Sequence, residues 1–482
     1  MGDGMTRIER DTLGEVAVPS DALYGAQTKR AVDNFPISGL KPFPSLVHGT
    51  VAIKRAAAIA NRISGRLPER IADAIVTACD EALDGKMDDQ FVVDPFQAGA
   101  GTSHNMNVNE VIANRAGEIL GGVRGEYRIV HPNDHVNMSQ STNDVFPTAV
   151  RLAVIRDARR LSAELSHLAA ALGDKGVEFA DVVKSGRTHL QDAVPITLGQ
   201  EFSAWARSVW GVAADLERTL DGMYELGIGG TAVGTGLNAD REYVDRVVAE
   251  LADATGFPLR RGGDLIERME NMNPFLTVSA ALRGVAVVLG KIANDLRLLA
   301  SGPRTGLDEI RLPAVQPGSS IMPGKVNPSM AEMLNMVCFQ VIGCDTAVTH
   351  AVAAGQLELN VMMPLIAYDL LFSLSILANA VRQFRGRCIE GITANRQQCR
   401  RYFESSLGLV TILAPRIGYH RAAEIAREAD QSGESIVEVI RRQGIVTDGE
   451  LSRMLDPDRV TRPGVIDPPP TGGDNDPKGD ER

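Results

Sequence analysis

Sulfur and aromatic rings are scarce in this chain: five cysteines and two tryptophans in 482 residues, with aromatic side chains at 5% of the whole. Cys79, Cys338, Cys344, Cys388 and Cys399 are odd in number and never stand in Cys-x-x-Cys spacing. They supply neither a disulfide framework nor a metal-ligand pattern, and we read all five as reduced thiols packed in helices. A surplus of basic charge is missing too. The formal net charge of −11 argues against nucleic acid as a partner, and any anionic substrate must be drawn in by local positive charge. No unbroken run of about 18 apolar residues occurs, and Met1 to Arg10 is charged rather than basic and then apolar, so neither membrane insertion nor secretion is expected. The expected compartment is the cytoplasm. Alternating strand patterns are few, which leaves room for some short hairpins and no large sheet.

What the chain does have is apolar content, 44%, enough for a large core, and long helical registers. From Val150 through Leu172, from Leu198 through Leu220 and from Val278 through Leu299, apolar residues recur at alternating steps of three and four. That period suits nearly parallel or antiparallel packing of long helices. The expected fold is therefore all-α, mainly helical. Between about Leu46 and Leu83 an alanine-rich stretch predicts further helix, whereas residues 1 to about 45 read as an extended arm.

The organising stretch is Pro317 to Pro328, Pro-Gly-Ser-Ser-Ile-Met-Pro-Gly-Lys-Val-Asn-Pro. Its glycines and prolines forbid regular helix between two helical blocks, so it is a shaped loop on a rigid scaffold, where function concentrates. Ser319, Ser320, Lys325 and Asn327 offer hydroxyls, a positive charge and an amide, groups able to bind a carboxylate and move a proton. Three more strings stand out. Gly99 to Asn107 places Thr102, Ser103 and Asn105 either at a ligand or at an ordinary capped helix start, and His104 there reads as a surface or capping residue. Ser141, Thr142 and Asn143 precede a long helix and mark either an N-cap or an anion cradle on exposed backbone N–H groups. Thr188 and His189 follow Ser185-Gly186-Arg187, and His189 is the best acid/base candidate among eight histidines. The glycine-rich run from Gly229 to Asn238 lacks the ending of a phosphate loop and no strand precedes it.

The loop string, together with Tyr24-Gly25-Ala26-Gln27-Thr28, Gly99-Ala100-Gly101-Thr102-Ser103, Ser141-Thr142-Asn143 and Thr188-His189, resembles the aspartase/fumarase superfamily over about residues 6 to 465. Members of that family remove a group from the carbon next to a carboxylate-bearing carbon, usually releasing fumarate. The resemblance implies a three-part helical chain: an N-terminal domain over 1–140, a central long-helix bundle over 141–390 and a small C-terminal helical domain over 391–465. Residues 466–482, rich in Pro, Gly and Asp, are expected to be disordered.

Carried over position by position, the resemblance makes Ser319 the general base, six residues before Lys325. It pairs His189 with Glu332, seven residues after Lys325. Thr102, Ser141, Thr142 and Ser320 would stabilise an aci-carboxylate intermediate, while Thr188, His189, Lys325 and Asn327 would hold the other carboxylate and Asn143 would lie near the leaving group. No metal or organic cofactor is implied. The implied assembly is a homotetramer whose every active site draws on three subunits. Ser141-Thr142-Asn143, Leu190 and Gln356-Leu357 favour aspartate as substrate. Gly229-Gly230 and Met363 depart from that pattern and keep malate and nitrosuccinate open. A non-catalytic helical scaffold is the reading from another class, and the joint retention of Ser319, Lys325, Asn327, Thr188 and His189 argues against it.

Overall fold

The computed structural model describes residues 5–464 and Ile466. The expected disordered tail, 466–482, lies outside the described residues save for Ile466.

Strands β1 (Thr6–Asp11) and β2 (Gly14–Pro19) form an antiparallel hairpin in the segment expected to be an arm. A helix, α1 (Ala26–Asn34), follows within that same segment, contrary to expectation. Its start has no local side-chain cap. Instead Glu110 accepts the backbone N–H groups of Gln27 and Thr28, both at 3.0 Å, and Glu9 accepts that of Ala26. Acids distant in sequence thus satisfy the helix start, and no local signal announces it.

The alanine-rich stretch forms α2 (Pro44–Ile63) and α3 (Glu69–Leu83), the first opened by a proline preset for helical φ. With α4 (Thr102–Ile119) they enclose a core that includes Val51, Ile75, Cys79, Val108 and Ile112. The long helices come next: α5 (Thr142–Glu178), then the hairpin β3 (Val183–Thr188) and β4 (Gln191–Thr197), then α6 (Leu198–Thr219). A two-residue parallel pair, β5 (Glu225–Leu226) and β6 (Arg260–Arg261), brackets α7 (Arg241–Thr255). After α8 (Leu265–Glu270) and α9 (Asn273–Leu299), the short strand β7 (Ile310–Arg311) leads into the Pro317–Pro328 loop. Beyond the loop lie α10 (Ser329–Ala353), α11 (Met363–Arg387) and β8 (Thr393–Ala394), which pairs with β7. Small helices end the described chain, among them α12 (Arg396–Ser405) and α13 (Val410–Ile417).

All predicted positions of the Val150–Leu172 and Val278–Leu299 registers are buried, and those from Leu198 to Leu220 are too except Val212, which is half-buried. Glycines allow α5 and α6 to approach closely: a Cβ added to Gly199 would lie 2.4 Å from the carbonyl oxygen of Gly176. The lack of an unbroken apolar run does not keep whole helices from a high average hydropathy. By length and composition α9, α10 and Met363–Gly391 are each apolar enough to cross a membrane, with mean hydropathies of 1.7, 1.4 and 1.6. Isolated polar residues break the runs in the sequence without lowering the average over a helix. Within this chain 50%, 33% and 61% of those windows are buried.

The chain packs as two compact units that interleave along the sequence. Among the described residues, one draws on the spans up to 165, 211–289 and 336–380, the other on 166–210, 290–335 and from 381 onward.

Candidate active site

In the first unit, polar residues gather at the starts of α4 and α5. Gly101, at φ 85°, precedes α4, so Thr102 stands exposed in the first turn and neither Thr102 nor Ser103 is the N-cap. One turn on, Asn105 donates Nδ2 to Thr142 Oγ1 at 3.0 Å, which ties the two helix starts together. Ser141 does act as a cap: its Oγ accepts the backbone N–H of Asn143 at 3.2 Å. The two readings of this string are compatible, since Ser141, Thr142 and Asn143 are only half-buried and the first-turn dipoles of α5 favour an anion beside them. Asn143 donates Nδ2 to the carbonyl of Ala232 at 2.9 Å, which leaves Oδ1 as the end of the amide unclaimed among the described residues.

Behind this face lie groups that sequence reasoning missed. Asp144 is fully buried and accepts backbone N–H groups from Ser141, Gly229 and Thr231. Burial pushes its carboxyl up to about 7, outweighing those hydrogen bonds. Lys54, also fully buried, donates to Asn137 Oδ1 and Gln140 Oε1, each at 2.9 Å, and burial brings its ammonium down to about 7. Both had signals in the sequence. Asp144 stands at the acidic position of a Ser-x-x-Asp capping pair, and Lys54 interrupts an apolar helical stretch. His104 corrects an expectation: it is buried rather than on the surface, with Nε2 2.9 Å from Thr50 Oγ1 and its ring edge-on to Phe146. Burial holds its pKa down to about 3, so the ring is neutral.

In the second unit, Thr188 and His189 lie exposed at the tip of the β3–β4 hairpin. His189 and Leu190 both adopt left-handed backbone, φ 55° and 61°. Two non-glycine residues at positive φ store strain that the surroundings must hold. The Pro317–Pro328 loop is irregular, as expected, and largely exposed. Ser319 Oγ accepts the backbone N–H groups of Ile321 at 3.2 Å and Met322 at 3.1 Å. The loop closes on itself so tightly that a Cβ on Gly318 would sit 1.3 Å from the carbonyl oxygen of Lys325. Ser320 and Lys325 are exposed, Asn327 is half-buried, and Glu332 lies half-buried in the first turn of α10. Among the described residues no hydrogen bond or ion pair joins His189 to Glu332.

These sequences and shapes have counterparts. The sequence profile of a family described as Lyase matches residues 14–343, and one described as Fumarase C C-terminus matches 409–462. An aspartate ammonia-lyase from Bacillus sp is 50% identical over 462 residues, which span 95% of this chain and 98% of that one. A class II fumarate hydratase from Thermosynechococcus vestitus is 49% identical over 93% of this chain and 97% of its own length. Among solved structures, a protein titled fumarate lyase:delta crystallin from Brucella melitensis, bound to cobalt, superposes with a TM-score of 0.93 at 52% identity, covering 95% of this chain and 100% of that one. The chain belongs to the aspartase/fumarase superfamily. Its helical fold is that of the family, and it is a lyase.

Proposed function

We propose that this enzyme converts L-aspartate reversibly to fumarate and ammonia. The observation that carries the chemistry is Ser319, whose Oγ faces two backbone N–H donors inside a loop that also carries Lys325. A serine hydroxyl is a poor base unless its anion is stabilised, and two aligned amides provide that stabilisation. The choice of aspartate rests on the 50% identity to the Bacillus aspartate ammonia-lyase.

In the proposed mechanism Ser319 removes a proton from the carbon beside one carboxylate. The electron pair left behind moves into that carboxylate and forms an aci-carboxylate. Thr102, Ser141, Thr142 and Ser320 hold the added charge, each preorganised donor contributing ~3 kcal/mol in a dry site. The electron pair then returns to form the double bond, and the bond to nitrogen breaks beside Asn143. Lys325, Asn327, Thr188 and His189 hold the second carboxylate, and Glu332 keeps the imidazole oriented.

We place these groups together by assembly: several copies of the chain contribute to each site of a homotetramer. Support comes from apolar surface that one chain leaves open, notably Met336 and Phe339 on α10, each 64% exposed. That surface suits a second copy of the same helices rather than a bilayer.

A second reading, hydration of fumarate, is favoured by the 49% identity to a class II fumarate hydratase. Incubation with fumarate plus ammonium, with fumarate in water alone, and with fumarate plus nitrite decides among aspartate, malate and nitrosuccinate by identification of the adduct. Aspartate as the main product supports the proposal, and malate or nitrosuccinate as the main product overturns it.

A further inference from the structure

The strained tip that carries Thr188 and His189 has no local reason for its shape. A two-residue hairpin turn with both residues at positive φ calls for Asn or Gly, and here it is His189-Leu190. The ladder is irregular just before it, with a register shift between Ser185 and Arg187. Something outside the hairpin must hold this conformation.

Arg187, the residue before Thr188, supplies the hold. Its Nη1 lies 3.0 and 3.1 Å from the two carboxylate oxygens of Glu309, and its guanidinium carbon stands 5.3 Å from the ring centroid of Tyr402. Glu309 has no exposed side-chain surface, and it also takes Lys184 Nζ at 3.0 Å. Lys184, only 1% exposed, bonds Glu201 at 2.8 Å as well. The cluster is two cations against two carboxylates, balanced in formal charge. The main chain of Glu309 is fixed from both sides: its N–H donates to Leu299 O and its carbonyl accepts from Asn395 N, each at 2.9 Å. The next two residues are β7, the stem of the loop that carries Ser319.

We propose that Glu309 is a positioning residue for Thr188 and His189, clamping the tip of the β3–β4 hairpin through Arg187 to the stem of the Ser319 loop. A buried ion cluster adds less to stability than apolar packing of the same volume, but it defines geometry sharply, because a misplaced partner leaves a charge buried and unpaired. In strand geometry successive side chains point to opposite faces, so Arg187 can be held from behind while Thr188 stays free for a ligand. The role of the tip rests on the reaction proposed above; the clamp itself does not.

The test pairs kinetics with hydrogen exchange. Arg187→Gln leaves Lys184 on Glu309, and it is expected to lower kcat/KM for aspartate about 100-fold, the scale of an ångström-sized misplacement. Amide exchange is expected to accelerate over residues 183–197 and to stay unchanged in α2 to α4. The double variant Arg187→Gln/His189→Ala is expected to be no slower than His189→Ala alone, since both changes remove one function. Losses that multiply overturn the proposal, because Arg187 then acts apart from His189. Unchanged exchange over 183–197 overturns it whatever the kinetics. Should the wild-type enzyme leave aspartate, malate and nitrosuccinate untouched, the proposed reaction fails, and the exchange measurement alone decides the clamp. Arg187→Lys, which keeps the charge and loses the fork, serves if Arg187→Gln does not fold; it is expected to show a smaller loss with the same local exchange signature.

Discussion

The carboxylate of Asp144 accepts the backbone N–H of Thr231 at 2.9 Å, from a residue 87 positions further along the chain. Through this bond and its companion from Gly229, the start of α5 holds the glycine-rich turn, and that turn presents the Ala232 carbonyl to Asn143. A single buried acid therefore orients the Asn143 amide, which the proposed mechanism sets beside the leaving group.

Replacing Asp144 by Ala strands three backbone N–H groups. The expected cost is about 3 kcal/mol of stability, read as a lower urea midpoint, and turnover should fall as Asn143 loses its fixed orientation. Asp144→Asn keeps one acceptor oxygen and should fall between Ala and wild type. Equal midpoints for wild type and Asp144→Ala would show that these bonds are not what holds the turn.

Ser319→Ala removes a proton acceptor that makes no core contact. Turnover is expected to vanish to background, while circular dichroism and fumarate binding by calorimetry stay close to wild type. Near-normal turnover would remove Ser319 from the role of base.

His104 links the fold to acid. Its folded pKa of about 3 lies below the ordinary value of 6.5, held down by burial and by the neighbouring Lys54 charge. On acidification the unfolded chain therefore takes up the proton first. Stability contributed above the ordinary value is lost as pH falls through that window, by up to ~1.4 kcal/mol per pH unit. His104→Gln should lose less stability than wild type between about pH 7 and pH 5. Parallel losses in the two proteins, measured as urea midpoints, would show that His104 does not contribute.

Much of this architecture is legible in the sequence because it is local. The apolar registers of α5, α6 and α9 declare themselves through spacing alone, and the Pro317–Pro328 loop through its prolines. The polar start of α5 at Ser141 to Asn143 was legible for the same reason. What escaped was long-range. Glu309 and Arg187 are separated by 122 residues, and nothing near either one marks the partner. The helix α1 escaped because distant acids, Glu9 and Glu110, satisfy its first amides. His104 was misplaced because a polar residue at a helix start is usually solvated, whereas here Thr50 and Phe146 enclose it.

The proposed sharing of active sites between subunits makes a prediction that no single chain can satisfy. The inactive Ser319→Ala protein and the His189→Ala protein, which keeps a low residual turnover, are mixed under conditions that let subunits exchange. Some hybrid assemblies then receive intact copies of both residues at one site, and activity is expected to return to a fraction of wild type. Verified exchange with no recovery would refute sharing.

The interleaving of the two units has a consequence for how the chain is made. The first unit has all of its segments once residue 380 has been synthesised, whereas the second needs residues 381 onward, including the C-terminal helices that pack around Phe403, Leu413 and Ile440. The hairpin with Thr188 and His189 belongs to that second unit, so on the ribosome it emerges long before the segments that complete its surroundings. Chains truncated anywhere between 380 and the C-terminal helices carry every residue of the proposed chemistry and still lack packing of the unit that holds Thr188, His189 and the Ser319 loop.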